Sequence, residues 1–111
     1  MKYLALPLLA LTLAAAAPVA HAADEGTAAI EALGRLNGVA LACKQPALVS
    51  RARNAIVTGA PKTRNVGEAF ENATNAAYLE QGKGAACPDA ASLASNITAA
   101  EKRLQAAFPK Q

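Results

Sequence analysis

Two cysteines, Cys43 and Cys87, and a single histidine, His21, are the only soft nucleophiles and imidazole ligands in the chain. A redox-active thiol pair is recognised by C-x-x-C spacing and its flanking signals, and these cysteines have neither. Two thiols without a histidine nearby also fall short of a tetrahedral zinc site. What a widely separated pair can do is close a loop of about 45 residues, for which chain entropy gives on the order of 4 kcal/mol of stabilisation. Cys43 and Cys87 therefore read as a disulfide. Carboxylate chemistry would have to use Glu68 and Glu71, three apart on a helix whose apolar stripe leaves both on the solvent side. The segment Gly82-Lys83-Gly84 lacks the G-x-x-x-x-G-K-[ST] frame of a phosphate loop. With no tryptophan and no tuned acid or base, the chain is not expected to be an enzyme, and no catalytic residue, cofactor or metal is assigned.

The other candidate is electrostatic. From Cys43 to Arg64 the stretch CKQPALVSRARNAIVTGAPKTR carries Lys44, Arg51, Arg53, Lys62 and Arg64 and no acid. If this were a binding surface, Lys44, Arg51, Lys62 and Arg64 would form it. On a helix, however, Arg51 and Arg53 lie about 160° apart around the axis and cannot both enter one compact anion site. They are expected to flank an apolar stripe and keep their charges wet. The acids Glu68, Glu71 and Glu80 of the next helix supply a ready counter-charge.

The elements that position these groups come after an apolar leader. Lys2 precedes YLALPLLALTLAAAA, then Pro18 and the small residues Ala20 and Ala22. The run is short of the roughly 20 residues that span a bilayer, and it ends as a signal-peptidase site does. Residues 1–22 read as a cleaved signal peptide and 23–111 as one domain, exported to an oxidising compartment where a disulfide persists. Without Lys2, ten of the 11 Lys and Arg face 8 Asp and Glu, too even a balance for nucleic acid as the main partner.

No segment after the leader alternates apolar and polar residues as a strand must. Four helical stretches do appear. The first is expected from about Thr27 to Ala42, capped by Asp24 or Thr27, with Ile30, Leu33, Asn37 and Ala40 on one face. Gly34 and Gly38 lie four apart on it, and each costs about 1 kcal/mol of helix propensity, so another helix should approach closely there. The second begins at Pro46 and ends at a left-handed Gly59 before Pro61, burying Leu48, Val49, Ala52, Ala55 and Ile56. The third is expected from Asn65, with Glu68 completing a capping box, to Gln81, where Gly82 and Gly84 end it; its stripe is Val66, Phe70, Ala73 and Ala77, with Tyr78 at the edge. The fourth opens at Pro88 and Asp89 and runs to Ala107 on Leu93, Ile97, Ala100, Leu104 and Phe108. The fold class is all-α, a compact bundle of about four short helices with the disulfide at one pole. The sequons at Asn72 and Asn96 fall inside helices and read as accidental.

Across this domain, LGRLNGVALACKQPALVSRARNAIV, APKTRNVGEAFENATNAAYL and ACPDAASLASNITAAEKRLQAAF resemble a group of small exported helical proteins of Gram-negative bacteria. The resemblance implies a periplasmic location, which would also make the protein a possible antigen, and carries no activity to any residue. The expected function is a protein-binding module, monomeric, not inserted in the membrane once the leader is cleaved, with an envelope protein as partner. The second expectation is a stress-responsive periplasmic chaperone of the acid-stress type, similar in size, helicity and disulfide use.

Overall fold

The computed structural model describes residues 21–110, with side chains from Glu25 onward, so the expected leader lies almost wholly outside the described residues. Four helices succeed one another: α1 His21–Ala42, α2 Pro46–Gly59, α3 Arg64–Gln81 and α4 Ala90–Ala107. They form a compact all-α bundle in which α1 is the hub. The backbones of α2, α3 and α4 all lie against α1, α2 also lies against α4, and among the described helices the backbone of α3 lies against that of α1 alone, with α2 reaching it through the Arg53 side chain. Gly34 of α1 meets Phe70 and Ala73 of α3, and Gly38 meets Thr74 and Ala77, so α1 and α3 run parallel.

The core is built from the expected stripes. Ala29, Ile30, Leu33 and Ala40 of α1, Ala52 of α2, Phe70 of α3, and Leu93, Ile97, Ala100 and Leu104 of α4 are buried. Leu48, Val49, Ala55, Ile56, Val66 and Phe108 pack on this cluster from its margins. On α3 the buried line runs through Phe70 and Thr74 rather than through Ala73 and Ala77. The two glycines of α1 explain this shift. A Cβ on Gly34 would stand 2.6 Å from the Phe70 carbonyl oxygen and 2.8 Å from the Ala73 Cβ. One on Gly38 would strike the Thr74 carbonyl oxygen and reach within 2.9 Å of the Tyr78 nitrogen. Helix backbones this close leave little room for side chains, so small residues pave the contact and a threonine fits where a larger residue would not.

Buried Asn37 answers that threonine. Its Nδ2 donates to Thr74 Oγ1 at 3.2 Å, and the Thr74 hydroxyl faces the carbonyl oxygens of Phe70 at 2.9 Å and Gly34 at 3.1 Å. Asn37 Oδ1 has no partner among the described residues, so the pair fixes register more than it adds stability.

The ends of the helices correct several expectations. Helix α1 begins at His21, six residues before Thr27, and passes through Gly26. The ring of Phe108 fills the space over Gly26, where a Cβ would lie 2.5 Å from Cζ, so the bundle supports a turn that propensity alone disfavours. Helix α1 ends in a Schellman motif: Gln45 N–H donates to the Ala40 carbonyl and Lys44 N–H to that of Leu41, with Lys44 in the left-handed conformation at φ 57°. Gly59 is not left-handed. Ala60 caps α2 in an extended conformation, and Gly59 admits the Leu104 side chain, whose Cδ2 would lie 3.0 Å from a Cβ at that position. Thr63, not Asn65, caps α3, accepting from Val66 N at 3.3 Å, while Glu68 turns to Arg64. Gly82 stays right-handed and Gly84 takes the positive φ. Asp89 caps α4 and Pro88 stands just outside it.

Cys43 and Cys87 are joined, with Cα atoms 5.8 Å apart. The bond ties the end of α1 to the approach of α4 and encloses α2 and α3.

Two measurements test this packing. In urea denaturation, Gly34→Ala and Gly38→Ala should lower stability by about 1–3 kcal/mol, whereas Gly67→Ala on α3, where a Cβ meets nothing within 4 Å, should raise it by about 0.5–1 kcal/mol. Replacing both cysteines by serine should cost about 4 kcal/mol if loop entropy dominates.

Candidate interaction surface

The basic stretch is dispersed by the fold. Arg51 reaches to α4, with Nη2 2.5 Å from Glu101 Oε1 and 2.6 Å from Thr98 Oγ1. Arg53 turns the other way, to Glu71 of α3 at 3.1 Å, and its guanidinium lies 5.9 Å from the centre of the Phe70 ring. Arg64 pairs with Glu68 at 2.9 Å on its own helix. Thus three of the five cations are spent on the bundle's own carboxylates, each pair contributing at most about 1 kcal/mol at such exposure. Lys44 and Lys62 make no ion pair among the described residues, but they lie at opposite ends of α2, about 20 Å of helix apart. Lys44, Arg51, Lys62 and Arg64 are not gathered into one site.

A different surface emerges at the end of α3. Leu79 is 65% exposed and Tyr78 is half exposed; Leu41 of α1 and Val57 of α2 are the other exposed large apolar residues among those described. Ala42, Tyr78, Leu79, Gly82 and Lys83 line a groove of about 500 Å³. Beside it, Arg35, Val39, Ala76, Ala77, Glu80 and Gln81 line another of about 340 Å³. The two flank the last turns of α3, which has no second helix to cover it. Arg35, Lys44 and Lys83 are exposed around this end; Lys83 approaches Glu80 at 3.6 Å, and half-buried Glu31 stands one turn before Arg35. Tyr78 is legible in the sequence as a stripe-edge residue. Leu79 escapes the stripe reading, although its place about 180° from Phe70 on the helix is a signal of an apolar residue facing outward.

Another groove, of about 640 Å³, lies at the other end, between Thr58–Pro61 and Ala107–Lys110. Its one large apolar side chain, Phe108, is already packed on Gly26, so it offers less to a partner. Among the described residues no three His, Cys, Asp or Glu side chains converge on a metal position, and no helix is long and apolar enough to cross a membrane.

One titrating group stands out. The backbone N–H of Ser92, then its hydroxyl, donate to Asp89 and hold its carboxyl below the usual value of 3.8. A depressed pKa adds stability that is complete above the unfolded value and is lost as pH falls through the folded one. No protein-family model, curated protein or solved structure matches the chain.

The stability that Asp89 contributes, measured by urea titration, should therefore be constant between pH 7 and about pH 5 and be lost below about pH 4. Asp89→Asn keeps a capping oxygen that does not titrate, so its acid-side loss should be shallower than that of the parent.

Proposed function

We propose that this protein is a periplasmic protein-binding module, exported by its N-terminal segment and acting through the uncovered end of α3. The observation that supports this most directly is the exposure of Tyr78 and Leu79, two large apolar side chains beside a groove, in a small bundle that buries most of its other long apolar residues wholly or partly. Isolated exposed leucines are ordinary, but a leucine and a tyrosine adjacent to concave apolar surface are what protein contacts select. The disulfide supports the location, since such bonds persist in oxidising compartments. It also makes the end of α1 and the return loop after α3 a firm platform for the groove.

The test is photo-crosslinking in the cell, with a photoreactive amino acid at Leu79 in the full chain and, as control, at exposed Ser95 on α4. A single protein should be captured from position 79 and not from 95, and Leu79→Glu combined with a photoreactive residue at Tyr78 should abolish the capture. Equal capture from both positions, or none with the chain folded and exported, would remove the proposal. Circular dichroism separates the acid-stress chaperone: helicity lost above about pH 4 together with a gain of anti-aggregation activity would favour that function instead.

A further inference from the structure

Resting on that function, we infer that the partner presents an amphipathic helix with an acidic polar face, laid along the end of α3 between Arg35 and Lys83. The binding mode is dictated by the all-helical fold. Every element of the described residues is helical, so among them there is no strand edge to pair with an extended segment, and a partner must satisfy its own backbone hydrogen bonds. A helix does so, and its apolar face suits a groove between helices. The groove lined by Ala42, Tyr78, Leu79, Gly82 and Lys83 supplies that surface, with Leu79 and Tyr78 in its wall as anchors, and the second groove lies on the other side of α3.

The charge preference comes from the rim. Arg35, Lys44 and Lys83 face a partner, with Glu80 beside Lys83 and the half-buried Glu31 one turn before Arg35, and Arg35 and Lys44 have no ion pair among the described residues, unlike Arg51, Arg53 and Arg64. A surface that keeps cations beside exposed apolar groups attracts acids and repels a basic helix. The same rim disfavours a second copy of this chain on the patch, because two-fold apposition would bring the cations of one copy against those of the other. A bilayer with anionic lipids shares the charge preference, but a nearly flat membrane cannot enter a concave groove as a helix can.

The experiment uses two amphipathic model peptides with the same leucine face and either glutamate or lysine on the polar face. Each is titrated into the 15N-labelled chain while amide shifts are followed by NMR. The glutamate peptide should shift residues 35–42 and 76–83, weaken as salt rises, and bind at least about tenfold more tightly than the lysine peptide. Arg35→Glu with Lys83→Glu should reverse that preference without altering helicity; both are exposed, so the fold should survive. Equal binding of the two peptides would overturn the charge assignment and leave the interaction surface standing. Binding of neither, with capture at Leu79 retained in the cell, would overturn the helical mode alone. Stronger shifts of the same amides by vesicles containing phosphatidylglycerol, or shifts that grow with protein concentration without peptide, would replace the occupant by a lipid surface or a second copy.

Discussion

The close approach of α1 and α3 over Gly34 and Gly38 is the contact on which the arrangement depends. Both glycines weaken α1 as an isolated helix, by about 1 kcal/mol each, and the space beside both is occupied in the fold by the backbone of a neighbour. Because the approach is so close, α3 docks with one large buried side chain, Phe70, and the small Thr74 beside it. The same economy keeps the backbone of α3 away from those of α2 and α4, although Arg53 of α2 reaches across to Glu71 and Phe70. Its outer turns are left uncovered, and it is there that Tyr78 and Leu79 stand exposed.

Register along this contact is set by polarity. Asn37 and Thr74 meet inside an otherwise apolar seam, and a slip of one turn would bury each without the other. Hydrophobic contact alone is tolerant of sliding, and alanines more so than leucines. A hydrogen-bonded pair at one level makes a single alignment best, at the cost of an unpartnered Asn37 Oδ1. The disulfide acts on the same end from outside, holding Cys43 beyond α1 to Cys87 beyond α3. Gln81 Nε2 adds hydrogen bonds to the carbonyls of Ala85 and Ala86 in the loop between. One pole of the bundle is thereby made firm, and the grooves that flank the last turns of α3 belong to that pole.

Electrostatics then divides the cations by position. Those along α2 and at the start of α3 find acids on adjoining helices or one turn away, and serve as weak struts between elements. Those near the firm pole find few. The division is not visible as a run of charge, because neighbours in sequence such as Arg51 and Arg53 project to opposite sides of one helix and meet different partners.

By itself the sequence determined the helical class, the four segments, the apolar stripes and the cysteine pair, since periodicity, proline and glycine act over a few residues and two cysteines leave one pairing. The stripe of α4 from Leu93 to Leu104 and the start of α2 at Pro46 are fully legible in this way. Tertiary structure decided what depends on neighbours distant in the chain. Local propensity puts Gly26 ahead of the helix, and Phe108 packing on it carries α1 back to His21. Propensity also makes Gly59 a left-handed cap, whereas the glycine is there to admit Leu104. Thr74 is polar by type and buried by the approach of two glycines on another helix. The interaction surface is illegible for the same reason: whether Leu79 is covered depends on which helices flank α3, and packing against α1 alone leaves it open.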